Sequence, residues 1–189
     1  MHAMSTILTY AVVALLAVAS VAWRDLNLNT FLAPGVELVT VLAVVCAILL
    51  PRTLAVAVPL LTVAVGDVLL GSHSVIFLYV WAAWVAVAAG ALVLRRTRSA
   101  RSTALVGLGV GAGSSTLFFL VTNVGTWMLG RGEWVADSAA GLLSTYAMGL
   151  PFFLYPLLAN VVLVPAAAVA AHALRAHQDA PAPTLQPAR

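Results

Sequence analysis

Seven polar or aromatic side chains in an otherwise apolar chain are candidates for a binding site. They are Asp67, Asn123, Trp127, Glu37, Asn29, Tyr146 and Asn160. A carboxylate binds a hydrogen-bond donor or a cation, an amide fixes the orientation of a ligand, and an indole packs on a flat apolar face. Polar groups are costly inside apolar segments, so each is a functional candidate. Asp67, Asn123 and Trp127 rank first for an outward-facing pocket, and the other four rank behind them.

These side chains also have structural interpretations, which the sequence leaves open. Asp67 could form an ion pair with Arg24, which would keep the carboxylate ionised without any ligand. Asn123 could only join two helices by a hydrogen bond, and Trp127 could anchor its helix at the membrane interface. Glu37 could be a carboxylate placed at the positive end of a helix.

The sequence lacks the common signatures of catalysis. It contains no HExxH, GxSxG or Walker A motif, and without an ATP site the chain cannot power uptake by itself. The single cysteine, Cys46, lies in an apolar run with no histidine close by, which favours a buried, inert thiol. An intramembrane enzyme would need a catalytic partner beside Asp67 or His73 that the sequence does not show. We therefore predict no enzyme activity, no cofactor and no metal.

The composition places these residues in a membrane protein. Charged residues are 8% of the 189 residues, hydrophobic residues are 63%, and the mean hydropathy is +1.07. A soluble domain carries about a quarter charged residues. The net charge of +3 does not indicate nucleic acid, because the arginines lie in short gaps between apolar runs. The length suits one compact bundle.

Six apolar segments are candidates for membrane spans, which need about 20 helical residues each. They cover residues 7–23, 31–50, 53–71, 75–94, 103–129 and 139–174. The last segment is too long for one span, and we expect a short outer helix over 139–150, a break before Pro151 and a span over 152–174. The runs are continuously apolar, whereas barrel strands alternate apolar and polar residues. The predicted fold class is all-α, a bundle of six transmembrane helices with an outward-facing polar pocket.

The distribution of the nine arginines predicts the orientation, because cytoplasmic gaps are enriched in positive charge. With the N-terminus inside, two arginines fall outside, Arg24 and Arg131. The other seven fall on the cytoplasmic side, namely Arg52, Arg95, Arg96, Arg98, Arg101, Arg175 and Arg189. Five or seven spans fit this bias less well. We therefore expect both termini in the cytoplasm and the chain in the plasma membrane, the inner membrane of a bacterium.

Both ends of the chain leave a question. Ala17-Val18-Ala19 resembles a signal-peptidase site, but no lysine or arginine precedes the first run, which favours a retained helix. Residues 1–177 form the predicted membrane domain. Residues 178–189 are rich in proline and alanine, and we expect a disordered cytoplasmic tail.

The fifth span carries a run of glycines that could form a helix interface. Gly107, Gly109, Gly111 and Gly113 make two overlapping GxxxG patterns, and small residues at this spacing let helix backbones approach closely. Packing within the bundle is one interpretation. Docking to a separate membrane subunit is the other.

Four segments, in order along the chain, carry a family resemblance. They cover residues 29–37, 59–71, 118–127 and 141–153 and read NTFLAPGVE, PLLTVAVGDVLLG, FFLVTNVGTW and GLLSTYAMGLPFF. Together they are spread over most of the chain, from about residue 26 to residue 165. Their order and the polar residues inside them resemble a family of small bacterial membrane proteins that look like the substrate-binding S components of energy-coupling factor (ECF) transporters.

This resemblance implies a six-helix subunit that captures a vitamin or a metal-related solute from outside. Such subunits associate with a membrane coupling protein and two cytoplasmic ATPases, and they topple to release the solute inside. S components often carry an Ala-xxx-Ala pattern in the first helix for that docking. Here the small residues of the first helix are spaced by three: Ala11, Ala14, Ala17 and Ser20. This departure leaves three alternatives open: docking to a shared coupling protein, action with another partner, or action alone.

The sequence thus predicts a membrane-embedded solute-binding subunit of an ECF-type uptake transporter. In the pocket, Asp67 would bind a donor or a cationic group, Trp127 would pack on a flat ligand face, and Asn123 would fix its orientation. The alternative is a non-transporting membrane assembly protein that binds its partner through the glycine face of the fifth helix.

Overall fold

The computed structural model describes residues 2–71 and 75–180, which fold into six α-helices. They are α1 (His2–Thr30), α2 (Val39–Leu49), α3 (Arg52–Leu69), α4 (Phe77–Ala91), α5 (Ala100–Gly130) and α6 (Ala139–Asp179), and a 3₁₀ turn (Leu92–Arg96) extends α4. The described residues contain no β-strand. The prediction of an all-α bundle is confirmed.

Five of the six helices are long and apolar enough to cross a membrane: α1, α3, α4 with its 3₁₀ turn, α5 and α6. Their outward faces carry large exposed apolar side chains, among them Ile7, Leu15, Leu143 and Leu158. Such a surface is unfavourable in water and suited to lipid. The chain is therefore a multi-pass membrane protein.

The second helix is shorter than the predicted span over residues 31–50. α2 has 11 residues, so it is about 16 Å long and covers about half of the hydrocarbon layer. Residues 31–38 are not helical because Pro34 and Gly35 interrupt the run, and Gly35 has a φ of 77°. Nearly every side chain of α2 is buried, including Cys46. Its neighbours in the bundle shield it from lipid.

The predicted break before Pro151 was wrong, because α6 is one continuous helix of 41 residues. It contains Pro151, Pro156 and Pro165. Proline is tolerated inside membrane helices where neighbouring helices and local adjustment satisfy the freed backbone groups. The helix reaches Asp179, and the tail residues 181–189 lie outside the described part.

The helices run between two ends of the bundle. One end, here called the loop end, holds the connections 31–38 and 131–138, the C-terminus of α3 and the N-terminus of α4. The opposite end, here called the arginine end, holds the connections 50–51 and 97–99 and the C-terminus of α6.

Two arginines close the C-terminus of α2 at the arginine end. Arg95 Nη1 donates to Ala47 O at 2.8 Å and to Leu50 O at 2.6 Å. Arg175 Nη1 donates to Ile48 O at 2.9 Å. The last carbonyls of a helix lack partners within the helix and carry partial negative charge, so cations stabilise them.

Glycines hold α5 and α6 close together. A Cβ atom on Gly107 would lie 2.9 Å from Pro165 Cα, and one on Gly111 would overlap the backbone oxygen of Asn160. The 107/111 pair therefore packs inside the bundle, as one interpretation of the glycine run predicted.

Candidate functional site

A cavity of about 250 Å³ is lined mainly by α5 and α6, and also by the 31–38 segment, the start of α2 and Trp84 of α4. Its polar lining residues are Glu37, Thr40, Ser114, Ser115, Thr122, Asn123 and Asn160. Five aromatic side chains form most of the remaining wall, namely Trp84, Phe118, Phe119, Phe152 and Phe153. A mostly apolar cavity with a few placed polar groups is the usual form of a small-ligand site.

The 31–38 segment is held over the cavity by two side chains of α1. Asn27 Nδ2 donates to Ala33 O at 2.7 Å, and its Oδ1 accepts from Ala33 N at 2.9 Å. Trp23 Nε1 donates to Val36 O at 2.8 Å. A Cβ atom on Gly35 would lie 3.1 Å from Phe152 O, so the segment packs tightly against α6. These contacts place Glu37 at the cavity wall.

Asn160 joins three helices at the cavity. Its Nδ2 donates to Ser115 Oγ of α5 at 2.9 Å and approaches Thr40 Oγ1 of α2 at 3.4 Å. Ser115 Oγ in turn donates to Pro156 O of α6 at 3.2 Å. The amide is 5% exposed, so a buried polar network fixes its position.

Asn123 of α5 lines the same cavity as Asn160 of α6. Its Nδ2 donates to Phe119 O at 2.8 Å, a bond within its own helix. A Cβ atom on Gly149 would lie 2.5 Å from Asn123 Oδ1, so the small residue makes room for the amide. Asn123, Asn160 and Glu37 are thus the predicted site residues that the fold brings together.

Asp67 lies behind the cavity wall rather than on it. Arg24 Nη2 is 2.8 Å from Asp67 Oδ1, and Arg24 Nε is 3.6 Å from Glu37 Oε1. Trp81 Nε1 donates to Asp67 Oδ2 at 2.7 Å. Asp67 Oδ1 has no aligned hydrogen bond, so its contact with Arg24 is an ion pair. The ion pair that the sequence left open is present, and it connects Asp67 to the cavity through Arg24.

Two other predicted residues, Asn29 and Trp127, lie away from the cavity. Asn29 is exposed and bonds to Asp25 one turn earlier in α1. Trp127 Nε1 donates to Ala136 O at 3.2 Å, and the guanidinium of Arg131 lies 5.4 Å from its ring centroid. Trp127 therefore holds the 131–138 connection at the loop end.

Tyr146 is a neighbour of the site. Its hydroxyl donates to Leu120 O at 3.0 Å, and its ring lies 5.5 Å from the ring of the wall residue Phe119. His73, which the sequence placed in a tight turn, lies outside the described residues.

Sequence reasoning missed the aromatic wall. Trp84 and Phe118 have ring centroids 5.1 Å apart, and Phe119 and Phe153 have centroids 4.7 Å apart. In a membrane chain aromatic residues are common, so their types alone do not mark a site. The position of Phe119 one turn before Asn123 was the available signal, since both face the same side of a helix.

The second pair of glycines on α5 has a different environment from Gly107 and Gly111. Gly109 and Gly113 would carry Cβ atoms with nothing within 4 Å, and the same holds for Gly90 of α4. All three line a shallow apolar groove of about 400 Å³ between α4 and α5. This pair is not used for the close packing of α5 against α6.

A bundle of apolar helices around a partly polar cavity defines the class of the protein: a multi-pass helical membrane protein with a candidate small-molecule site. The chain belongs to a family of unknown function (DUF6580), whose model matches residues 3–183. No curated protein matches it, and no solved structure does so.

Proposed function

We propose that the chain is a membrane-embedded solute-binding protein of the S-component type, which captures a vitamin or another small solute from outside the cell. The family carries no assigned function. The resemblance in four sequence segments supports the proposal, and so does the form of the cavity.

The proposal includes six crossings with both termini in the cytoplasm. Five helices have the length to cross, and the sixth crossing is residues 31–50, a non-helical segment followed by α2. Non-helical backbone at membrane depth is tolerated where it is held against protein. The 31–38 segment accepts and donates hydrogen bonds with Trp23 and Asn27 of α1 and packs against α6 at Gly35, and α2 is covered by its neighbours. The arginine end then faces the cytoplasm and the loop end faces outside.

One observation carries the proposal: three polar side chains from separate parts of the chain meet at one cavity. Glu37 comes from the 31–38 segment, Asn123 from α5 and Asn160 from α6. A polar side chain inside a membrane is energetically costly unless it has a hydrogen-bond partner or a ligand. Convergence around an open volume is what ligand recognition requires, whereas structural hydrogen bonds need no such volume.

A cavity-filling variant tests whether the cavity captures a solute. Thr122 lines it, and Thr126, one turn later on α5, does not. Each hydroxyl donates to the carbonyl four residues earlier, so the two are matched in local structure. The protein is purified in mild detergent, and small molecules that remain bound are identified by native mass spectrometry. We expect Thr122→Phe to lose a bound compound that the wild type and Thr126→Phe retain. If wild type carries none and none binds from a solute library, the proposal fails.

Transport would need partners, because the chain has no ATP site. In this proposal a membrane coupling protein and cytoplasmic ATPases supply the energy. Co-purification of the chain with candidate coupling proteins and ATPases is the direct measurement of this step.

The groove between α4 and α5 favours a second candidate function, that of a membrane assembly protein. Gly109 and Gly113 leave space for a close helix contact that no described residue fills. The partner would be a transmembrane helix with small residues on one face. Gly109→Leu with Gly113→Leu should then release a partner, whereas Thr116→Leu, exposed on α5 outside the groove, should not. Unchanged partner recovery in the double variant would exclude this function.

A further inference from the structure

Among the described residues, the cavity wall carries one charged side chain, Glu37. One of its carboxylate oxygens, Oε1, lies 3.6 Å from Arg24 Nε. The other, Oε2, is buried and has no hydrogen-bond partner within the described part of the chain. A buried carboxylate oxygen without a donor is costly, and a donor from a bound molecule removes that cost.

The charges around Glu37 do not balance. Arg24 stands between Glu37 and Asp67, so one guanidinium faces two carboxylates. It lies nearer to Asp67, which is only 2% exposed and holds a second contact from Trp81. Arg131, the arginine of the 131–138 connection, pairs with Asp137 at 3.7 Å. Of the two carboxylates that share Arg24, Glu37 therefore has the weaker compensation.

The rest of the wall suits a cation with a flat apolar body. Trp84 and Phe118 line the cavity. The face of an aromatic ring carries negative electrostatic potential, which attracts cations, and it packs well against planar groups. Asn123 and Asn160 add neutral amides and no further charge. The described residues hold no group of three His, Cys, Asp or Glu side chains that could bind a metal ion, and Glu37 is the one carboxylate among the lining residues described, so an organic cation fits this wall better than an inorganic one.

We propose that the cavity binds a small organic cation with an N–H donor, such as a protonated amine, attached to a flat apolar body. The inference rests on the proposed solute-binding function and specifies its ligand class. The N–H group of the ligand donates to Glu37, and the aromatic wall covers the apolar body. Arg24 and Asp67 are positioning residues, which hold the Glu37 carboxylate at the wall. The cavity is smaller than the roughly 300 Å³ at which pockets for drug-sized ligands begin, so the ligand is small.

Three probes of similar shape and different charge test the charge preference. They are 2-phenylethylamine, 2-phenylethanol and 3-phenylpropionate, each titrated into the purified full chain and followed by calorimetry and by the melting temperature. We expect the amine to bind more tightly than the alcohol, and the carboxylate to bind least. Equal binding of the amine and the alcohol, or tighter binding of the carboxylate, would overturn the inference.

Glu37→Gln separates a ligand contact from a structural role. It should weaken amine binding by about tenfold to a hundredfold, the value of a charge-assisted hydrogen bond. The alcohol should lose less, because its hydroxyl can also donate to the carboxylate but carries no charge. Glu133→Gln, in the exposed 131–138 connection, is the matched control and should bind like wild type. If Glu37→Gln does not fold, Glu37→Asp keeps the charge but shortens the side chain by one methylene group, and a smaller loss that is selective for the amine is expected. A variant that weakens both probes equally would contradict a direct contact.

The same experiments distinguish the failure of this inference from that of the proposed function. One outcome is a co-purifying compound that is neutral or anionic, displaced by Thr122→Phe and bound with unchanged affinity by Glu37→Gln. That result would support solute binding and exclude the inference that the ligand is a cation. If no compound binds at all, the proposed solute-binding function and the inferred ligand class are both excluded.

Discussion

Arg24 of α1 and Asp67 of α3 form a buried ion pair, with Nη2 and Oδ1 2.8 Å apart and with 18% and 2% of the two side chains exposed. The same arginine reaches Glu37, so a single side chain joins the first helix, the 31–38 segment and the third helix. Opposite charges in a medium of low dielectric attract strongly, but separating them leaves one charge without a partner. The pair thus couples the wall of the cavity to the stability of the loop end.

The first prediction concerns the stability of this ion pair. Asp67→Asn should lower the free energy of unfolding by about 3 kcal/mol, because Arg24 loses its nearer partner in a buried site. Thermal unfolding in detergent measures the change. Arg131→Gln breaks the exposed pair with Asp137 and should cost less than about 1 kcal/mol. Equal losses in the two variants would contradict the special role of the buried pair.

The second prediction separates the two glycine pairs of α5. Gly111→Ala places a methyl group against the backbone of Asn160, so α6 must move and the melting temperature should fall, at a cost of about 1–3 kcal/mol. Gly113→Ala meets nothing within 4 Å and should be neutral or slightly stabilising, since alanine is the better helix former. Unfolding curves of the two single variants provide the comparison. A larger loss for Gly113→Ala would mean that the packing of α5 is different.

The class of the fold was predictable because one physical fact determines it: long apolar runs in lipid must satisfy their backbone groups within helices. The positions of Pro34 and Gly35 also contained the signal for the non-helical 31–38 segment. The predicted span did not include that signal, because it was based on the length of the apolar run and not on backbone conformation. The continuous α6 could not be predicted in this way, since tolerance of Pro151 depends on tertiary packing that hydropathy does not describe.

The site was predictable in part. Glu37, Asn123 and Asn160 were found because polar residues inside apolar runs are energetically costly and therefore mark candidate functional sites. The same criterion selected Asn29 and Trp127, which bond to nearby backbone instead. The sequence cannot distinguish these cases, since they depend on which face of each helix meets its neighbours.

The third prediction concerns the arginines that close α2. Arg95→Met removes two hydrogen bonds to Ala47 O and Leu50 O, and it should lower the free energy of unfolding by about 1.5–3 kcal/mol. Arg96→Met, one residue later and exposed, should change it little. The two variants lose the same charge, so a difference in their stability measures the contribution of the hydrogen bonds from Arg95 to the C-terminal carbonyls of α2. Equal stability would show that the carbonyls of α2 find other partners.

The fourth prediction concerns the orientation, and it uses single cysteines that leave every charge unchanged. Ala136 is exposed at the loop end and Ala100 is exposed at the arginine end, and each is replaced by cysteine in a separate variant. The native Cys46 is fully buried and should stay unlabelled. Since the arginine end is expected inside, a thiol reagent that cannot cross membranes should label Ala136→Cys in intact cells and Ala100→Cys only after the cells are opened. The reverse pattern would place the loop end and its cavity toward the cytoplasm, and capture of a solute from outside would then be excluded.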